Sequence, residues 1–190
     1  RSMNLLTLEW QNRGINLWTI DSDTVSLVTG TSQYTLPADT IDLLEQVIRT
    51  DSGDTTKQSD LNMSRISVSD YSSIPNKLTR GRPIQVWIER LITAPRINVW
   101  PVPDSNDYTF VYWRMRRIED AGNGVETADM NYRFLPSLVA GLAYGIAMKE
   151  PELAPRLQML KTEYESQFQL AAQEDRDKTS ARFVPRATRI

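Results

Sequence analysis

The chain has 190 residues, 40% of them hydrophobic and 24% charged, with 22 Lys and Arg against 24 Asp and Glu. It contains no cysteine and no histidine. This excludes disulfides, thiol nucleophiles and thiolate metal sites, and removes the commonest general base and metal ligand. A chain of this length forms one substantial domain, or one domain with a large insertion, and its composition tilts against catalysis.

The net charge of −2 is unevenly placed. Lys178, Arg182, Arg186 and Arg189 give the last 13 residues +4 with no acid, so the other 177 residues carry −6. A near-neutral body with a basic end points to partner binding at that end and not to a general nucleic-acid coat. No uninterrupted apolar run reaches the roughly 18 residues of a membrane span. Arg1-Ser2-Met3-Asn4 enters an amphipathic pattern at once, so no signal peptide is read and an intracellular protein is expected. That early start leaves open whether more chain precedes Arg1.

Met3, Leu5, Leu6, Leu8, Trp10, Ile15 and Leu17 follow a helical pattern that ends or bends near Gly14. Trp10 and Trp18 are expected to pack on the C-terminal helices. From Thr24 the period changes to two. Val25 and Leu27, then Tyr34 and Leu36, predict a hairpin around Thr29-Gly30-Thr31-Ser32. Ile41–Arg49 predicts a strand, and residues 50–59 a loop whose Asp51 and Asp54 lack the calcium-loop pattern. Leu61, Met63 and Ile66 predict one short strand, followed by a capped helical turn over Ser67–Tyr71.

The stretch Asn76–Pro83 is a basic loop carrying Lys77, Arg80 and Arg82, suited to a phosphate, an acidic neighbour or plain solvent. Its single Gly81 excludes a phosphate-cradling loop of the Walker type. Strands are predicted at Ile84–Glu89, Arg96–Trp100 and Tyr108–Arg116. The last is bulky on both faces and should be central or doubly covered. Arg114, Arg116 and Arg117 at its end are expected to pair with Glu119 and Asp120, or else to meet a partner.

Phe134–Met148 is an apolar run with Pro136 in its first turn and Asp129 or Asn131 as its cap. Pro151 breaks it. A second helix is predicted from Glu152 to Ala181, with one buried stripe at Leu153, Leu157, Leu160, Tyr164, Phe168 and Ala171 or Ala172. The expected fold is α+β: a helical bundle of residues 1–20 and 129–181, a β-rich insertion over 21–128, and an extended tail over 182–190. No cofactor or metal site is read.

Several phrases resemble one family. They are Glu9–Trp18, Tyr34–Asp39, Val111–Asp120, Phe134–Lys149 and the closing Arg182-Phe183-Val184-Pro185-Arg186. Together they are similar to head-to-tail adaptor proteins of tailed bacteriophages, among them the tail accessory (packaged-DNA stabilisation) factors and tubular adaptors of short-tailed phages.

The resemblance implies a structural virion protein, assembled in the bacterial cytoplasm into a ring of twelve copies under the portal protein. It implies a platform for the tail nozzle or tube, and double-stranded DNA passing through the lumen without sequence-specific binding. Portal docking would fall to Lys178, Arg182, Phe183, Val184, Pro185, Arg186, Arg189 and Ile190, while Lys77, Arg80, Arg82, Arg114 and Arg116 are candidate contacts to subunits or neighbours. Two rival classes compete with this expectation. A peptidoglycan hydrolase would need a carboxylate pair such as Glu9, Glu45, Glu89 or Glu119 with an Asp, whose spacing selects none, and Ser-Lys chemistry from Ser64 or Ser67 is supported by no motif. A DNA-binding channel protein would need far more positive charge.

Overall fold

The computed structural model describes residues 2–15, 19–51, 53–118 and 130–175. They form an α+β protein with four α-helices and two β-sheets. The chain divides into two compact units: Arg1–Trp18 with Ile118–Ile190, and Thr19–Arg117.

The first unit is helical, with α1 (Ser2–Asn12), α3 (Leu135–Ala147) and α4 (Leu157–Glu174). Helix α1 stops at a glycine in the left-handed region, Gly14 at φ 87°. Gly14 N–H donates to Gln11 O at 3.0 Å and Ile15 N–H to Trp10 O at 3.1 Å. This paired closure satisfies two end carbonyls and buries Ile15 beside the helix it terminates. A 3-10 turn, Tyr132–Phe134, leads into α3, and Asn131 caps that turn by accepting from Arg133 N–H. The expected cap Asp129 lies outside the described residues.

Pro136 stands in the first turn of α3, where no N–H is required. The second predicted helix starts later than its sequence pattern. Pro151–Arg156 is a 3-10 stretch, because Pro155 removes an N–H and disfavours α geometry in the residue before it. From Leu157 the α-helix is regular, and Tyr164, Phe168 and Ala171 are its buried stripe, as the spacing predicts. Residues 176–181 of the predicted helix lie outside the described residues.

The core of this unit is aromatic. Trp10 is fully buried, with ring centroids 5.4 Å from Phe134 and 6.1 Å from Phe168. Its Nε1–H donates to Tyr164 Oη at 3.0 Å. Burial pushes the Tyr164 hydroxyl up to about 12, so it stays protonated across the physiological range. Arg13 caps the cluster from outside. It forks onto Glu165 with two 2.8 Å bonds, reaches Glu9 at 2.6 Å, and lies 4.6 Å over the Phe168 ring. Arg133 Nη1 reaches Glu174 O at 2.9 Å, so the start of α3 lies beside the end of α4 and the two helices run antiparallel.

The second unit holds both sheets. Strands β1 (Ile20–Ser26), β8 (Thr109–Arg116), β3 (Thr40–Thr50) and β4 (Ser59–Asn62) form one, in that order. The other runs β2 (Gln33–Thr35), β7 (Arg96–Trp100), β6 (Gln85–Glu89) and β5 (Ser64–Arg65). Leu43, Ile48, Phe110 and Tyr112 from the first meet Val86, Ile97 and Val99 from the second in one cluster with Leu27, Leu36 and Met63. Bulky β8 is interior to its sheet, as its two-faced sequence predicts.

Two strand predictions are corrected. Val25 and Tyr34 do not form a hairpin: β1 pairs with β8 and β2 with β7, in different sheets. The turn between them is a corner held by Tyr34, whose Oη accepts from Val28 N–H at 2.8 Å and donates to Thr31 O at 2.9 Å. Gly30, at φ 83°, makes the bend. Likewise residues 61–66 are not one strand. The chain changes sheet at buried Met63, whose carbonyl accepts from Gln46 Nε2 at 3.0 Å. The helical turn after it is α2 (Val68–Ser73), closed by a capping box between Ser67 and Asp70.

A Cβ added at Gly141 in α3 meets Leu6 Cδ2 at 2.8 Å and Tyr164 Cε2 at 2.9 Å, whereas one at Gly145 meets nothing within 4 Å. Gly141→Ala should therefore lower the stability of the helical unit by about 1–3 kcal/mol through overpacking. Gly145→Ala should raise it by up to about 1 kcal/mol through helix propensity. Denaturant titration of both variants checks the contrast.

The Glu165 carboxyl is held below the usual range by its hydrogen bonds to Arg13. Its contribution is present above the ordinary glutamate value and is lost as pH falls through the lowered one. Glu165→Gln should thus weaken the unit near pH 7 and flatten its stability profile between about pH 5 and 3, as measured by urea midpoints across that window.

Candidate assembly surfaces

The residues predicted from the sequence as contacts fall into three groups. Lys178, Arg182, Phe183, Val184, Pro185, Arg186, Arg189 and Ile190 lie outside the described residues. A second group is already engaged inside the β-rich unit. Lys77 Nζ donates to Ser72 O and Ile74 O, both at 3.1 Å, and sits 5.7 Å over the Tyr71 ring. It therefore closes the C-terminal end of α2, where a cation is favoured.

Arg114 Nη1 reaches Asp39 at 2.6 Å and Thr40 Oγ1 at 3.0 Å, and Arg116 Nε reaches Asp21 at 2.7 Å. Both side chains are nearly buried. Their acids are not the sequence neighbours Glu119 and Asp120, which lie outside the described residues. The acids come from the flanking strands, displaced from the register pairs: Asp21 in β1 lies opposite Arg114 and reaches Arg116, and Asp39 just before β3 adjoins Thr40, opposite Arg116, and reaches Arg114.

Arg80 and Arg82 form the third group. Both are exposed, and neither makes an ion pair among the described residues. Arg80 bridges to Val102, and its Nη2 lies 3.8 Å from the Cβ position of Gly30. Gly30 N–H donates to Pro103 O, and Thr29 N–H to Asn106 Oδ1. One end of the β-rich unit thus gathers three loops and presents two guanidinium groups outside any ion pair among the described residues, Arg82 near Tyr108, with exposed Leu78 and Val28 nearby in sequence.

A surface that the sequence reading did not single out is on α3. Leu135, Val139 and Ile146 are 42%, 68% and 54% exposed, and Leu142 between them is half-buried at the edge of the inner cluster. The spacing of four, three and four makes one continuous stripe, outward at three positions and half-buried at Leu142. No charged residue occurs from Phe134 to Met148. The signal was in the sequence, since the run was apolar on every side, and one helix face cannot bury all of it. Beside this helix a groove of about 150 Å³ is lined by Leu5, Leu6, Tyr144, Gly145 and Met148 together with Glu9 and Lys149. Open Gly145 forms part of the wall that a side chain would otherwise fill.

Of the acids considered for catalysis, Glu9 and Glu89 are structural partners, Glu45 is exposed on β3, and Glu119 lies outside the described residues. Glu9 joins Arg13 and accepts from Tyr164 Oη, and Glu89 pairs with Arg96 at 2.6 Å. Ser67 Oγ belongs to the α2 cap. Among the described residues no group of three acids is placed to hold a metal, and no helix is long and apolar enough to cross a membrane.

The described residues thus form two compact units that expose an apolar stripe on α3 and two arginines outside any ion pair. A family model described as SU10 adaptor protein matches residues 2–189. The chain belongs to that family, and so is a bacteriophage head-to-tail adaptor, a structural virion component. No curated protein matches it.

The arginine placement gives a direct test. Arg114→Ala should cost about 1–3 kcal/mol, since it strands a charged hydrogen-bond partner. Arg80→Ala and Arg82→Ala should stay within about 0.5 kcal/mol of the parent. Thermal unfolding of the three variants separates the internal tie from the free surface.

Proposed function

We propose that the protein joins the phage head to its tail as a ring of twelve copies on the portal. In this reading the ring continues the DNA channel and offers a platform to the tail nozzle or tube. The observation that carries it is the family match over residues 2–189. The fold is read as a helical bundle from residues 1–20 and 129–181, interrupted in sequence by a β-rich insertion over 21–128. The copies assemble in the bacterial cytoplasm before entering the virion.

The closing residues are the portal-docking element. Phe183, Val184 and Pro185 supply an apolar anchor, while Lys178, Arg182, Arg186 and Arg189 supply four cations without an acid. Arginine forks suit carboxylates and carbonyl-lined clefts, and Ile190 adds apolar bulk at the end. Because Pro185 lacks an N–H, a partner strand can pair with only one side of the segment there. Arg80 and Arg82 are the cations of the β-rich unit best placed to meet a neighbouring protein. The −6 carried by residues 1–177 makes a lumen that phosphates slide past, since gripping DNA takes many neutralised phosphates.

Deletion of residues 182–190 should leave a folded monomer that no longer joins the portal ring, as read by native mass spectrometry of the mixture. Stoichiometric binding by the truncated chain would overturn the docking assignment.

A further inference from the structure

We propose that the outward stripe of α3 is the contact between ring neighbours. Its occupant is the back of α4 in a second copy of this chain, joined head to tail. The inference rests on the ring reading above and names its two faces.

Helix α3 has 13 residues, none of them charged. A helix that is apolar on every side belongs inside an assembly or a membrane. At about 1.5 Å per residue, 13 residues fall well short of the roughly 30 Å of a bilayer core. The cover is therefore protein. The spacing of Leu135, Val139, Leu142 and Ile146 is that of a helix-packing seam, which another helix fills by knobs entering holes.

The back of α4 offers the matching face. Met159, Glu163, Ser166 and Leu170 repeat the same spacing of four, three and four, and all four are exposed. Thr162, Gln169 and Gln173 beside them are exposed and uncharged. The one charge in the stripe, Glu163, already accepts from Gln167 Nε2 at 2.9 Å. Helix α1 also exposes two apolar side chains, Leu5 and Leu8, but they lie within one turn and cannot meet both ends of the α3 stripe, whereas Met159 and Leu170 have the same separation as Leu135 and Ile146.

Direction follows from the hairpin. Within one copy α3 and α4 run antiparallel, with Arg133 against Glu174 and Tyr144 6.4 Å from Tyr164. Neighbours in a large ring are related by a small rotation, so α3 of one meets α4 of the next in the same antiparallel sense. That alignment sets Leu135 against Leu170, Val139 against Ser166, Leu142 against Glu163 and Ile146 against Met159. The two ends match apolar to apolar, and small Ser166 leaves a hole for the most exposed knob. Because the two faces belong to different helices, every copy offers both. Such a contact propagates around a ring and does not stop at a pair. Each seam brings four side chains, against about 20–30 residues a side in a standard interface, so the contact closes on a template more readily than between free monomers.

The chain has no cysteine, so cysteine pairs report the contact directly. Full-length Val139→Cys, full-length Ser166→Cys, their equimolar mixture and the double variant are oxidised with and without the portal ring, and mass spectrometry of the complex counts the copies. The expected result has four parts: no covalent dimer from either single variant, dimer from the mixture, a ladder from the double variant, and strong enhancement by portal. Dimers of Val139→Cys alone would overturn the head-to-tail contact in favour of α3 on α3. A multi-copy portal complex without crosslinks would overturn the face assignment and leave the ring standing, with the stripe covered by another protein. No multi-copy complex under any condition would sink the ring and this inference together.

Discussion

The helical unit depends on Trp10. A residue near the start of the chain is fully buried among Phe134, Tyr164 and Phe168 and shares a hydrogen bond with Tyr164, 154 positions away. Removing a side chain of that size from a core costs on the order of 3–5 kcal/mol, a large part of the stability of a typical domain. The Arg13 clamp and the Gly14 stop act on the same few residues. Gly14 ends the helix where Ile15 can turn in, and Arg13 shields the aromatic face with a guanidinium fixed by two carboxylates. Hairpin α3–α4 thus obtains its third wall from the other end of the sequence. The close pass at Gly141 is what lets Leu6 and Tyr164 approach α3 from two sides.

The helices were legible because each carries its own period. The stripe at Leu157, Leu160, Tyr164, Phe168 and Ala171 is written in one segment, and burial follows it residue by residue. Strand β8 was legible for the same reason: Phe110, Tyr112 and Val111 crowd both faces, and it pairs on both edges. The sheets themselves were not legible. Alternation in Val25–Leu36 marks two extended segments but carries nothing about which partner each will choose. Here β1 chose β8, more than eighty positions on, and the polar turn became a corner between sheets. Met63 shows the same limit, since one buried residue between two short strands changes the sheet without disturbing the pattern.

The site residues divide along the same line. Reading arginines against the nearest acids in sequence selects Glu119 and Asp120 for Arg114 and Arg116. Sheet pairing instead brings Asp39, in the turn before β3, to Arg114 and Asp21 of β1 to Arg116. Lys77 is similar, because its role depends on where the end of α2 falls. Charge alone marks a cation as available, and only pairing geometry decides whether it is free. Arg80 and Arg82 stay out of ion pairs among the described residues, although Arg82 lies close enough to Tyr108 to act on its hydroxyl, to which Asp104 is hydrogen-bonded.

Helix α3 carries the tension between folding and assembly. It has no side-chain cap of its own, no charged residue, and two apolar sides. Its inner side is satisfied by α1 and α4, so the unit folds without the outer one being covered. An outer stripe of four side chains is too small to hold two free copies together, given the translational and rotational freedom that association removes. Tethering neighbours to one template raises the effective concentration of each stripe for the next without adding a contact. A surface too weak to join monomers in solution is then sufficient once a common platform fixes their spacing. In the ring proposed above, that difference is what would keep the copies single until the portal gathers them.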